Sequence, residues 1–319
     1  MATEVISIVD PDNGVGTDYT SLAAFESGEQ ADLPTADEIR TAECRCTGGT
    51  ADATVTFNGW TTDATRYIKI ITDPTDGYRH NGTYQTGNKY RIEATINGYC
   101  LGMNEAYSHI EGIQVSPTYS GTGFAQGFGF PTNDGDSSNH RMDKCIVKGG
   151  TGANGSGIFA ANVRGLFTNT LIFDMAATGA YGVYTNSNNI TFANFTVQNC
   201  HSGMRGAGTG TLFKNCGLSA CTTGFAGTST QTTCSTTTPT FVDGANDNFH
   251  LASGDTTWKD AGTDLSGNFT DDIDAETRSG TWDIGMDEVV AAAGTRATLE
   301  QIERHYPRGI MRGVGRGIA

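Results

Sequence analysis

Two short patterns recur in step through the middle of this chain, and few folds can accommodate both. One is a glycine followed by an apolar residue: Gly127-Phe128, Gly157-Ile158, Gly182-Val183, Gly203-Met204 and Gly224-Phe225, at steps of 30, 25, 21 and 21 residues. The other is apolar-x-x-apolar-x-apolar. It reads Ile110/Ile113/Val115, Met142/Cys145/Val147, Phe167/Thr170/Ile172, Phe192/Phe195/Val197 and Phe213/Cys216/Leu218, with Thr170 standing in for one apolar residue. A period settling at 21 residues is too short for a helix pair and suits one coil of a β-solenoid, in which each coil buries its apolar face only against its neighbours.

Composition agrees. The chain has 319 residues, 43 of them glycine, and only 17% are charged. The repeat region has no run of strong helix formers. Its short β-branched and aromatic runs, broken by Gly and Asn, read as many short strands. Asn169, Asn194 and Asn215 recur at one corner of three successive coils. Asn tolerates the left-handed backbone of a sharp corner, and amides stacked at a strand spacing of about 4.8 Å are expected to hydrogen-bond in a ladder.

The start of the chain predicts a strand over Val5–Val9. A short helix should follow after Ser21, whose hydroxyl suits an N-cap and whose helix would close the open end of the core. Residues 1–35 are read as this strand and capping helix, 36–238 as the coils, 239–290 as a C-terminal cap and 291–319 as a basic tail. Long polar loops in the early coils, Asp73 to Lys89 among them, are expected to project and to carry recognition.

Residues 109–230 resemble the right-handed parallel β-helix fold, the pectate-lyase-like superfold. Pro239–Asp243, Asn248–Leu251, Asp260–Thr263 and Asp283–Glu288 are similar to the closing segment of many β-helix repeat proteins. Asp18–Leu22 and Gly59–Asp63 resemble uncharacterised β-helix proteins of phage and environmental bacteria. The resemblance implies an all-β, right-handed parallel β-helix with a short N-terminal capping helix and a flexible C-terminal tail. It assigns no activity.

Carbohydrate-active β-helix enzymes stack several carboxylates on one face of neighbouring coils, to bind a cation, take a proton or flank a glycosidic bond. The glycine-row positions hold apolar residues instead. Asp143 and Asp174 are the clearest strand-associated acids and the catalytic candidates, at different registers. The acids around Asp272, Asp274 and Asp283 are candidates for calcium, which takes oxygen ligands, although Arg278 paired with an acid such as Asp283 gives the same composition. No other cofactor is implied. Cys200 and Cys221 fall in one register 21 residues apart and are expected to stack as buried thiols, a disulfide being the alternative.

Net charge is −15, which disfavours nucleic acid and anionic membranes as partners. No stretch approaches the roughly 20 apolar residues of a membrane-spanning helix. The start lacks the pattern of a signal peptide, so synthesis in a cytosol is expected. The tail runs against the overall charge: residues 289–319 hold five Arg and two Glu, a balance of +3 that leaves −18 on the remainder. Arg304, Arg308, Arg312 and Arg316, with Ile310, Met311 and Val314, suit docking to acidic groups on a partner. The expectation is a non-enzymatic structural protein on a virus particle surface, a decoration, fibre or spike component, joined to other virion proteins or to copies of itself. A polysaccharide lyase or hydrolase of a tail spike is one alternative. A glycan-binding adhesin, with Tyr78, Tyr84, Tyr107 and Tyr119 stacking on sugars, is another.

Overall fold

The computed structural model describes residues 2–131 and 138–290. It is mostly β, and its strands run parallel in three rows that the chain visits in turn. The first row stacks Thr3–Val9, Glu38–Cys44, Ile68–Ile71, Tyr107–Glu111, Asn139–Asp143, Gly165–Phe173, Ile190–Gln198, Leu212–Lys214 and Thr230–Thr232. The second stacks Arg91–Ile96, Gln114–Tyr119, Ile146–Lys148, the distal halves of Gly165–Phe173 and Ile190–Gln198, and Gly217–Ser219. The third stacks Val55–Phe57, Gly98–Met103, Ala125–Phe130, Ser156–Ala160, Tyr181–Thr185, Ser202–Gly206 and Thr223–Gly227. This order is compatible with a β-solenoid.

Both sequence repeats become columns. Phe128, Ile158, Val183, Met204 and Phe225 are successive register partners in the third row. Ile110, Met142, Phe167, Phe192 and Phe213 stack in the first, and Val115, Val147, Ile172, Val197 and Leu218 in the second. Of these, Phe225 is half-buried and the rest lie in the core.

The two columns repeat together because one packs on the other. A Cβ added to Gly182 would stand 2.5 Å from Val197 Cγ1, and one on Gly157 2.5 Å from Ile172 Cγ2. On Gly203 it would stand 2.6 Å from Leu218 Cδ1, and on Gly127 2.9 Å from Val147 Cγ1. The glycines let the third row approach the second until its backbone rests on the branched side chains. Any side chain there would force the rows apart or the aliphatics off their rotamers, and its Cβ would also press on the carbonyl of the next glycine in the row, that of Gly157 for Gly127 and, at 2.8 Å, that of Gly203 for Gly182.

The corner between the first two rows is left-handed in every regular coil: Gly112, Lys144, Asn169, Asn194 and Asn215 all have φ between 46° and 72°. At the N-terminal end the expected helix spans Leu22–Glu29. Ser21 caps it, its hydroxyl accepting from the Ala24 N–H at 3.1 Å. Leu22 and Phe25 are fully buried, and Phe25 lies against Phe57 and Trp60 with ring centroids 6.3 and 6.1 Å away.

The loop from Asp73 to Lys89 folds back rather than projecting. Arg79 pairs with Glu111 at 2.7 Å and His80 is buried, its Nε2 donating to the Lys144 carbonyl at 2.8 Å. The C-terminal segment, expected as a cap, packs along the outer side of the strands. Ile146, Leu171 and Phe173 face outward from the second row and are covered by Phe249, Ile273 and Met286.

Two predictions follow from the core. Gly182→Ala should cost about 1–3 kcal/mol of stability by overpacking, read from urea unfolding, whereas Gly254→Ala, with no heavy atom within 4 Å of the new Cβ, should be near neutral. The second concerns His140, which is fully buried between Ser108, whose Oγ lies 2.8 Å from Nδ1, and the Phe130 ring. Burial pushes its pKa down from 6.5 to about 3. The unfolded chain therefore takes a proton near pH 6.5 that the folded chain refuses. The contribution is full above pH 6.5 and is lost as pH falls toward 3, at up to about 1.4 kcal/mol per pH unit. Urea midpoints measured across that window should fall less steeply in His140→Leu than in the parent.

Candidate functional site

The glycine row holds no acids, but the aligned apolar triplets put Glu111 and Asp143 each one residue after their first apolar position, and the structure stacks this pair. Asp143 is the register partner of Glu111 in the adjacent first-row strand. Lys144 is held at this left-handed corner with its ammonium 2.6 Å from Asp143, 4.0 Å from Glu111 and 3.0 Å from Asp271. Burial opposes the lysine charge, but the three acids outweigh it and raise its pKa. Asp143 also accepts from Thr168 Oγ1 at 2.6 Å and Asn169 Nδ2 at 2.9 Å. A carboxylate whose oxygens are engaged by a lysine, a hydroxyl and an amide supports a corner. A general base or nucleophile needs a free lone pair facing a substrate. Asp174 lies past the end of the long strand Gly165–Phe173 and accepts from Asn199 Nδ2 at 2.7 Å. The two catalytic candidates are thus held in separate networks. The pair of Asp143 with Glu111 stands in the triplet row, one residue after Met142 and Ile110, outside the glycine register.

The corner asparagines do not bond to one another in the expected ladder: Asn169 donates to Asp143, and the C-terminal segment engages the rest. The Arg278 side chain is fully buried, and its guanidinium donates to the carbonyls of Gly285, Met286 and Asp287 and to Asn169 Oδ1. With its amide oxygen turned toward the guanidinium, Asn194 accepts from Arg278 at 3.0–3.1 Å. Asn215 brackets Thr263, donating to its carbonyl at 2.8 Å and accepting from its N–H at 2.9 Å. The ion-pair partner of Arg278 is Glu288, at 3.2 Å, not Asp283. Arg278→Met should therefore cost about 3–5 kcal/mol, because it strands buried acceptors and a carboxylate. Its unfolding midpoint should drop while Asp264→Asn, at an exposed turn, leaves it unchanged.

The three calcium candidates do not converge. Asp272 is spent on backbone, accepting from the N–H groups of Asp274, Glu276 and Glu288. Asp283 accepts from those of Asp260 and Val289. Only Asp274 points into a mixed group, where it meets His250 and Asp287. The donor atoms of these three residues lie within 4.8 Å of one another. Burial raises the Asp287 carboxyl to about 6 and the Asp272 carboxyl to about 7.

On the outer face of the third row is an aromatic stripe that no sequence repeat announced. The Tyr99 and Phe159 rings stack at 6.1 Å, and Phe159 and Tyr184 at 5.9 Å and 8° from coplanar. Tyr181 meets Tyr184 edge-on at 5.2 Å, and the Arg205 guanidinium covers the Tyr184 ring at 5.2 Å. Phe159, Tyr184 and Arg205 are successive register partners. Phe124, Gln126, Asn154, Phe159, Tyr181 and Tyr184 line an open pocket of about 280 Å³. Phe124 is 59% exposed, and the buried Oε1 of Gln126 has no protein partner among the described residues. A signal was available: Tyr99, Phe159 and Tyr184 each stand directly beside a core residue, Cys100, Ile158 and Val183. Tyr84, by contrast, is tied down, its hydroxyl on Glu93 at 2.7 Å and its ring beneath Lys148.

All eight cysteines are free thiols. Cys200 and Cys221 touch across adjacent coils, and burial drives the Cys200 thiol far above its ordinary range. Burial likewise lifts Cys100 and Cys145 to about 12, which leaves them poor nucleophiles. The docking candidates Arg304, Arg308, Ile310, Met311, Arg312, Val314 and Arg316 lie outside the described residues. No described helix is long and apolar enough to cross a membrane. No family model, curated protein or solved structure matches this chain.

Proposed function

We propose that this chain is a right-handed parallel β-helix acting as a non-enzymatic binding scaffold, and that its ligand is a glycan held along the aromatic stripe of the third row. Right-handedness is expected for parallel strands joined by crossovers in one sheet. The observation that carries the ligand is the run Tyr99–Phe159–Tyr184, with Arg205 at its end. A pyranose has one apolar C–H face and a rim of hydroxyls. Flat rings take the first, while Gln126, Asn154, the Tyr181 hydroxyl and Arg205 offer partners to the second. Phe159 and Tyr184 lie on neighbouring coils, and the Tyr99 ring, two coils before Phe159, fills the space over Gly129 on the coil between, so an extended chain would meet one ring after another. The engaged state of Asp143 supports binding without turnover. Attachment of such a scaffold to a particle or a neighbouring subunit through residues 291–319 is a compatible proposal carried by the sequence alone.

The test is a glycan array followed by titration of the best binder. Tyr184→Ala should weaken binding roughly tenfold, as expected for about 1–1.5 kcal/mol of ring contact, with unfolding stability retained. No binder on a broad array, or undiminished affinity in a Phe159→Ala/Tyr184→Ala variant, would reject this reading. Release of reducing ends from the bound glycan would favour the enzyme alternative.

A further inference from the structure

The C-terminal segment holds a group that neither the core nor the aromatic stripe accounts for. His250, in the strand Asn248–Leu251, directs Nε2 at Asp274 Oδ2, 2.7 Å away. Asp287 completes the group. The imidazole is oriented from behind: Nδ1 lies 2.6 Å from Asn248 Oδ1, an acceptor, so it carries the proton. Nε2 pairs with Asp274 through a proton when the ring is charged, and a metal cation would take the place of that proton between Nε2 and the two carboxylates. A side-chain oxygen holding the far nitrogen of a histidine is the usual outer support of a metal-bound imidazole.

Two further observations point into the same space. Asp287 is 6% exposed, and its Oδ2 accepts from the Leu251 N–H at 2.7 Å. Oδ1 is not engaged by that backbone bond, and Asp287 stands with the His250 and Asp274 donors. The early loop also closes over the donors at Gly82. A Cβ there would meet His250 Nε2 and, at 2.8 Å, Asp274 Oδ1. Gly82 has φ of +75° and its N–H donates to Nδ1 of the buried His80. Bare backbone thus roofs the group and leaves it the room that a side chain would fill.

We propose that His250, Asp274 and Asp287 bind a divalent first-row transition metal, with zinc(II) the best match. One imidazole nitrogen and two carboxylate oxygens form a three-ligand set that leaves a position for water. Calcium is a poor match, since it takes six to eight oxygens and gains nothing from an imidazole. The two acids and the histidine come from three separate turns of the C-terminal segment, with the Asp73–Lys89 loop above them. The ion is a structural clip holding that segment in the conformation that covers the asparagine corner.

The experiment uses the full chain, stripped with chelator and then dialysed against zinc(II), with bound metal measured by atomic absorption. One tightly held zinc per chain and a raised unfolding midpoint are expected. His250→Gln should abolish tight binding. Asp274→Asn, at an exposed position, should weaken it at least tenfold while the apo protein unfolds like the apo parent. Cobalt(II) should give visible absorption bands of a nitrogen–oxygen site in the parent and not in His250→Gln. The proposal is overturned if the parent takes up no zinc, if the variants bind it as tightly as the parent, or if calcium displaces zinc at equal concentration.

Discussion

The contact on which this structure depends is between a glycine and a branched aliphatic one strand row away. Each regular coil places Gly127, Gly157, Gly182 or Gly203 against Val147, Ile172, Val197 or Leu218. Without a Cβ, the third row settles onto the second, and the apolar residue after each glycine can reach the core. The pairing fixes the thickness of the coil, and stacking the coils at strand spacing converts one local fit into a column. Because every coil repeats it, the outer faces are held in a constant register. That constancy makes a line of rings on the third row possible.

The outer side of the corner is the second constraint. A left-handed turn leaves the amides of Asn169, Asn194 and Asn215 pointing away from the core. The C-terminal segment satisfies them with Arg278 and the backbone of Thr263, while Phe249, Ile273 and Met286 bury the outward apolar residues of the second row. Shaft and segment therefore stabilise each other: the guanidinium needs the amides to offset its desolvation, and the amides need the guanidinium. The proposed metal site shares Asp287 with this network, since the Asp287 carbonyl accepts from Arg278.

The coils were legible because their signal is periodic. Glycine followed by an apolar residue every 21–30 residues, beside an apolar triplet, can be aligned by eye, and the alignment reproduces the observed register residue for residue. The capping helix after Ser21 was legible from its N-cap chemistry. The functional candidates were harder, for a physical reason: chemistry on a stacked fold is assembled across coils of unequal length. Asp143 meets Glu111 from 32 residues away, and His250 meets Asp274 from 24. Asp143 and Glu111 share the step of Met142 and Ile110, so their column lies in the aligned triplets beside the glycine register, whereas the step from His250 to Asp274 belongs to no aligned column. The aromatic stripe was missed because its members face outward between core positions, where attention to the glycine register skips them. Arg278 pairs with an acid of the closing segment as expected, with Glu288 in place of Asp283, while the corner asparagines that it also meets lie far away in sequence.

The account stands on the interlock of glycine and aliphatic rows, and a double-mutant cycle between Gly182 and Val197 tests it most directly. If the Cβ of Gly182→Ala is costly because it collides with the Val197 side chain, removing that side chain should relieve the collision. The stabilities of Gly182→Ala, Val197→Ala and the double variant, measured by urea unfolding, should then be non-additive. The double variant should be more stable than the summed losses predict by about 1 kcal/mol or more. Additive losses would contradict the interlock and place the origin of the glycine repeat elsewhere.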